Sequence, residues 1–359
     1  MTFHIAHSFQ HRRNITPPFK RILIAKTTQL GDLVISLPMA SALKQRDASC
    51  EVILLTNPRT VDVARCCPDV DEVHGEPQTR EELLALLIAL KVDIFIQVSP
   101  SRTLAQLARE AGIPNRIGSL FRKYSWRQCT HMVAVSSSLS GLNKRLLDLQ
   151  YLAPLGIHIH DLQSVSALYD LRPPSLPLDA AILHPANFSH GRKRIILSPT
   201  LVTAKAHQWP LECYSRLIHA LDPARFHWFI CGVAGDRQNL QPLLGSHALE
   251  SNVTDLVGSL TLTEFMGFIN HCDGLIAGST GPLHLAAALG TRTLGLFQSR
   301  RVDIQRWHPV GDSAAILHSE VQCRGEPKSA SNSRVDPCPC ILAIEPEQVA
   351  RHVLAWFET

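Results

Sequence analysis

The sequence predicts an α/β protein built from two consecutive doubly wound domains with a cleft between them. Three observations predict it. Two series of apolar strands alternating with helices begin near residues 21 and 194. Between them, LRPPSLPLDAAILHPANFSHGRK (171–193) is rich in proline and has no period. The length, 359 residues, suits two domains better than one. Continuous apolar strands separated by helices indicate parallel sheets covered on both faces.

The first series opens with RILIAK (21–26), a short buried strand. LVISLPMASALKQ (33–45) follows as a helix and EVILLTN (51–57) as the next strand. The connection ARCCPDVDEVHG (64–75) leads to the helix REELLALLIALK (80–91) and the strand VDIFIQVS (92–99). TLAQLAREAG (103–112) is a helix and NRIGS (115–119) a short strand. The second series runs from the strand RIILSPT (194–200) to the helix LECYSRLIHAL (211–221), the strand FHWFICG (226–232) and the helix DRQNLQPLLGSH (236–247). VTDLVG, the helix TLTEFMGFINHC (261–272), the strand GLIAG (274–278), a further helix and the strand TLGLF (293–297) complete it. The expected division is 1–175, a linker at 176–193, 194–345, and a last helix over 346–359.

Composition bounds the function. Hydrophobic residues are 45% and charged residues 18%, ordinary for a chain with a large core. No run of about 18 apolar residues suggests a membrane span. The first twenty residues are basic and histidine-rich without an apolar stretch, unlike a secretory signal, so a cytoplasmic location is expected. Residues 1–175 carry 20 Lys and Arg against 15 Asp and Glu; the remainder carries 15 against 16. That asymmetry suits an anionic acceptor or a membrane surface on the first half and is too small for nucleic acid. The ten cysteines are expected to be reduced. Cys323, Cys338 and Cys340 raise the question of zinc, but their gaps do not match C-x₂₋₄-C pairs and no fourth ligand is obvious, so no metal is expected.

Two strand-to-helix junctions can carry chemistry, because ligands of such sheets bind at the carboxyl ends of strands. In GSTGPLHLAAALG (278–290) a small-residue loop feeds a helix that stops at Gly290. Unpaired N–H groups, the helix dipole, and the hydroxyls of Ser279 and Thr280 would cradle a diphosphate, and Gly281 permits close approach. A plain helix cap explains the same residues. In KTTQLGDLVISLP (26–38), Asp32 heads a helix, where it serves either as N-cap or as general base.

Together with AHQWPLECYSRLI (206–218), LVGSLTLTEFMGFINHCDG (256–274) and the tail CPCILAIEPEQVARHV (338–353), these segments resemble glycosyltransferase family 9 in order and spacing, over residues 20 to 359. The resemblance implies a GT-B fold of two Rossmann-like domains, the first for the acceptor and the second for a nucleotide sugar. It implies inverting, metal-independent transfer, without a cofactor, of a sugar, heptose from ADP-heptose above all, to a lipopolysaccharide core or related glycan at the inner face of the cytoplasmic membrane. Asp32 matches the family's base. Two departures stand out: His207 replaces the usual lysine before Trp209-Pro210, with Lys205 as a substitute cation, and Ser279 replaces an aspartate, which leaves the donor sugar open.

Thr200 and Thr203 follow a strand end and serve either phosphate contact or loop capping. Asp236 is a nucleotide contact or a helix N-cap, and His284 a diphosphate contact or a satisfied core histidine. Arg122, Lys123 and Arg127, interleaved with aromatics in FRKYSWRQ (121–128), meet anionic acceptor phosphates or lie on a surface loop. Two rival functions remain: a nucleotide-sugar epimerase and a sugar-nucleotide-binding protein without catalysis.

Overall fold

The computed structural model describes residues 14–136, 141–169, 171–172, 191–199, 208–248, 250–323 and 337–358. The chain forms two compact units, Met1–Arg172 and Pro173–Thr359.

In the first unit, six parallel strands lie in the order β3-β2-β1-β4-β5-β6. They are β1 (Arg21–Lys26), β2 (Glu51–Thr56), β3 (Glu72–Gly75), β4 (Ile94–Gln97), β5 (Asn115–Ser119) and β6 (His131–Val133). The helices are α1 (Leu30–Ser36), α2 (Pro38–Arg46), α3 (Val61–Arg65), α4 (Arg80–Leu90), α5 (Arg102–Glu110), α6 (Ser125–Gln128), α7 (Lys144–Leu149) and α8 (Leu162–Ser166). The single helix expected over 33–45 is two helices, because Pro38 cannot donate an N–H to the preceding turn and instead starts a new helix at N1. Helix α4 begins with a capping box between Thr79 and Glu82. Leu83, Leu87 and Leu90 of α4 close over Leu23, Ile53 and Phe95 of the sheet, each fully buried side chain being worth ~1.5–3 kcal/mol.

The second unit repeats the plan with the order β12-β11-β10-β7-β8-β9. Its strands are β7 (Lys193–Ser198), β8 (Phe226–Ile230), β9 (Val253–Asp255), β10 (Gly274–Gly278), β11 (Arg292–Leu296) and β12 (Ala314–Leu317). Its helices are α9 (Leu211–Ala220), α10 (Arg237–Ser246), α11 (Leu262–Asn270), α12 (Gly281–Ala288), α13 (Arg301–Trp307), α14 (Pro339–Leu342) and α15 (Pro346–Ala355). The last helix is built into this unit: Val349, Ala350 and Val353 share one apolar cluster with Tyr214, Leu217 and Ile218 of α9. Trp209 donates its indole N–H to the Ile344 carbonyl at 2.9 Å and fixes the approach to that helix.

Read from its own first strand, each sheet has the same sequence of neighbours. The order reverses between β1 and β4 in one unit and between β7 and β10 in the other. Such switch points open a crevice at the carboxyl ends of the strands, where ligands of doubly wound sheets bind.

Candidate active site

The junction containing Asp32 leaves β1 at the first switch point. Its N-cap position belongs to Gln29, whose side chain makes no cap bond, and Asp32 lies two residues inside α1. The carboxylate is therefore not the helix N-cap. Asp32 Oδ1 sits 3.6 Å from Lys26 Nζ, and 27% of the Asp32 side chain remains exposed while that of Lys26 is 3% exposed.

Lys26, the last residue of β1, continues inward to a fully buried aspartate. Its Nζ lies 3.3 Å from Asp148 Oδ2. Lys144, one turn earlier on α7, bonds the other oxygen of Asp148. The Ser36 hydroxyl, 2.7 Å from Asp148 Oδ2 and 3.0 Å from the Asp32 carbonyl, joins α1 to the same carboxylate. Burial opposes ionisation of Asp148, but Lys26 and Lys144 outweigh it and hold the carboxyl below its ordinary range. Burial likewise opposes the charge on Lys26, yet Asp148 and Asp32 raise its pKa. Lys144 goes the other way: burial and the neighbouring Lys26 lower it despite the attraction of Asp148. Two cations and two anions thus form one chain, with Lys26 and Asp148 buried, Lys144 half-buried and Asp32 at the other end.

The sequence reading missed Lys26, Lys144 and Asp148 as members of the site. Lys144 and Asp148 stand at i and i+4, an ion-pair spacing that was visible. Lys26 is 122 positions from Asp148, and only the fold joins them. Elsewhere in this unit, Arg122, Lys123 and Arg127 are exposed on and before the short helix α6. They are flanked by Phe121 and Trp126, which are 50% and 59% exposed. These residues form one surface of cations and aromatic rings.

In the second unit, β10 ends at Gly278 and α12 begins at Gly281. Thr280 occupies the N-cap with extended backbone, and its side chain makes no cap bond. Its hydroxyl instead turns back to the Gly278 carbonyl at 3.4 Å, a long contact that an incoming acceptor can replace. Pro282 has no N–H, so the first turn offers the amides of Gly281 and Leu283 for anions. Gly290 adopts φ +79° just beyond the helix, and the Thr291 N–H reaches back to the Ala286 carbonyl at 3.1 Å. That left-handed stop is why glycine ends this segment.

His284 is buried, its ring 6.5 Å from that of Trp307 on α13. Asp236 stands at the N-cap position of α10, yet its carboxylate accepts the Val233 N–H at 3.0 Å and closes the turn after β8. Thr200, Thr203, Lys205 and His207 lie outside the described residues. The segment holding them follows β7, whose Ser198 pairs with Ala277 of β10 across the switch point. Cys323, Cys338 and Cys340, whose spacing does not match paired zinc motifs, bring their sulfurs within 4.8 Å of one another.

The comparisons with known proteins bear on the family and the fold. A model of glycosyltransferase family 9 (heptosyltransferase) matches residues 91–335. A putative glycosyltransferase of Haemophilus influenzae is 23% identical over 319 residues, covering 82% of this chain and 87% of the relative. Lipopolysaccharide heptosyltransferase 3 of Escherichia coli is 24% identical over 299 residues, 78% of this chain and 83% of its own length. Among solved structures, E. coli ADP-heptose lps heptosyltransferase II superposes with a TM-score of 0.73 at 18% identity, covering 94% of this chain and 98% of that one. E. coli heptosyltransferase WaaC with ADP gives 0.69 at 15% identity, covering 94% and 99%. Two parallel six-stranded α/β units of GT-B type and a family match over most of the length lead to one conclusion: the chain belongs to glycosyltransferase family 9, the heptosyltransferase family, and is a glycosyltransferase.

Proposed function

We propose that this enzyme transfers a heptose from ADP-heptose, with inversion and without a catalytic metal or cofactor, to a sugar hydroxyl of a lipopolysaccharide core or related glycan. The observation that carries the reading is Asp32: an ionisable group at a switch point, open to solvent, not used as the helix N-cap, and backed by the buried Lys26. Asp32 accepts the proton of the acceptor hydroxyl as its oxygen attacks the anomeric carbon. The bond from that carbon to the diphosphate oxygen breaks, and ADP departs with the electron pair. The amides at the start of α12 and the hydroxyls of Ser279 and Thr280 stabilise the charge that develops on the diphosphate, with Gly281 allowing close approach. Thr200, Thr203, Lys205 and His207 supply further donors to the phosphates. His284, buried in the first turn of α12 beside Trp307, helps to fix that turn, and the turn closed by Asp236 borders the nucleotide.

Arg122, Lys123 and Arg127 contact the anionic groups of the acceptor, and Phe121 and Trp126 rest at the lipid boundary. No helix among the described residues is long and apolar enough to cross a membrane; the exposed cations and rings of this surface supply a peripheral contact at the cytoplasmic face.

The test is calorimetric titration with ADP, UDP, GDP and ADP-heptose without added metal, followed by transfer assays on core acceptors. Selective binding of the adenine compounds and transfer in the presence of chelator support the reading. Preference for UDP or GDP would overturn the donor, and release of sugar without any acceptor would overturn the transferase assignment to a glycan.

A further inference from the structure

Among the described residues outside the candidate active site, two groups of metal-binding side chains stand close together, and one is the cysteine cluster of the second unit. Cys323 lies six residues beyond the end of β12. Cys338 is the N-cap of α14, and Cys340 lies within its first turn. Cys338 Sγ is 3.2 Å from Cys340 Sγ and 4.0 Å from Cys323 Sγ, and all three sulfurs fall within 4.8 Å. Three thiolates at Zn–S bonds of ~2.3 Å around a tetrahedral centre have sulfur–sulfur edges of about 3.8 Å. The observed separations bracket that value.

Polar contacts hold the backbone around the cluster. The Ser319 hydroxyl donates to the Cys340 carbonyl at 2.7 Å, and the Ser299 hydroxyl donates to the Ser319 carbonyl at 2.5 Å. The segments after β11 and β12 and the start of α14 are thereby tied together around the sulfurs, a supporting shell of the kind that orients metal ligands. Cys338 and Cys340 are buried while Cys323 is half-buried, leaving one side for entry and for a fourth ligand. The Gln298 side-chain oxygen, 4.0 Å from Cys323 Sγ, is on that side. By contrast, His219, His247 and Glu250 already satisfy one another: Glu250 Oε1 is 3.0 Å from His219 Nε2 and 2.8 Å from His247 Nδ1.

We propose that Cys323, Cys338 and Cys340 form a three-thiolate site for a thiophilic divalent cation of the zinc class, which cross-links the carboxyl-end edge of the second sheet to α14. Binding replaces the three thiol protons, which pass to solvent, with three metal–sulfur bonds. A water or the Gln298 carboxamide oxygen completes the tetrahedron. No electron transfer is involved, and the sugar transfer proposed above does not use this cation.

The experiment uses the full chain, reduced and stripped of metal, titrated with Co²⁺ and then Zn²⁺. The expected result is one equivalent of Co²⁺ with a thiolate-to-metal charge-transfer band and the visible bands of a tetrahedral ion, displaced by Zn²⁺. Cys323→Ser, at the least buried ligand, lowers the charge-transfer intensity with the fold retained by circular dichroism, and the Cys323→Ser/Cys338→Ser/Cys340→Ser chain loses the band. Zinc also raises the melting temperature of the unmodified chain but not that of the triple variant. A Co²⁺ spectrum without the thiolate band, or one unchanged in the triple variant, would overturn the site. So would a Cys323–Cys338 disulfide found by mass spectrometry in the chain isolated from reducing cytosol.

Discussion

The two units share a strand order, yet their candidate groups leave opposite sides of the switch point, after the first strand in one unit and after the fourth in the other, and are equipped in opposite ways. At the first switch point the junction after β1 is charged, with Asp32 open to solvent and Lys26, Asp148 and Lys144 interlocked behind it. At the second, the junction after β10 carries no charged side chain over 278–283 and presents amides and hydroxyls. A proton acceptor needs a localised anion whose position is enforced, and burying its counter-ions requires a closed network. A site for an incoming diphosphate needs donors and a dipole without a resident anion. In the function proposed above, one fold feature serves base chemistry or anion binding according to a few side chains. The replacement of the family's aspartate by Ser279 extends the uncharged character of the second junction.

The largest effect expected from breaking this contrast is at Asp148. Asp148→Ala leaves the buried Lys26 beside the half-buried Lys144 without their shared counter-ion, and should cost ~3–5 kcal/mol of stability. Urea unfolding of the two chains measures it. A loss below about 1 kcal/mol would mean the network supports nothing but itself.

Acid should separate the units next. His227 in β8 is buried, its Nε2 2.8 Å from the Thr254 hydroxyl, and burial lowers its pKa from 6.5 to about 4. The unfolded chain therefore takes up the proton first, and stability contributed by the neutral ring is present above pH 6.5 and lost as pH falls toward 4. The loss is up to about 3 kcal/mol. Asp148, held below the ordinary 3.8, contributes stability above that value and loses it only at still lower pH. Unfolding followed from pH 7 to 4 should show a decline that His227→Gln removes and Asp148→Asn does not. A decline in the His227→Gln chain equal to that of the parent would assign the acid response elsewhere.

The smallest expected effect is at Thr280. Its hydroxyl does not cap α12, so Thr280→Val should change stability by no more than ~0.5 kcal/mol. Removing one donor to a charged ligand should weaken ADP binding roughly tenfold. Calorimetry and thermal melts on the same samples check both halves. A large stability loss with unchanged ADP affinity would make Thr280 a structural residue.

These contrasts also show what was legible in the sequence. The strand ends, the small-residue loop at 278–281 and the carboxylate at Asp32 are local features, visible because doubly wound folds place function at strand-to-helix junctions. The alternation of apolar strands and helices was equally local, and the family resemblance followed from the order of those segments. The partners of Asp32 were not visible, because Lys26 and Asp148 meet only once α7 folds against α1 and β1. That helix has six residues and was not recognised, like the short strands β3 and β6. Short elements carry little periodicity of their own and are stabilised by neighbours. The break at Pro38 was readable from proline alone and was overlooked. The proximity of the three cysteines was hidden for a different reason: spacing rules describe compact zinc motifs, whereas here the sheet edge gathers thiols from separate segments.

The central claim is that the base lies at the junction after β1 and the diphosphate site at the junction after β10. The most direct measurement compares Asp32→Asn with the unmodified enzyme in two assays on one preparation, ADP binding by calorimetry and heptose transfer from ADP-heptose. The account predicts ADP affinity within about twofold, well inside a 1 kcal/mol change, while transfer falls by ~10²–10⁴-fold. Unimpaired transfer, or loss of ADP binding in step with transfer, would contradict it.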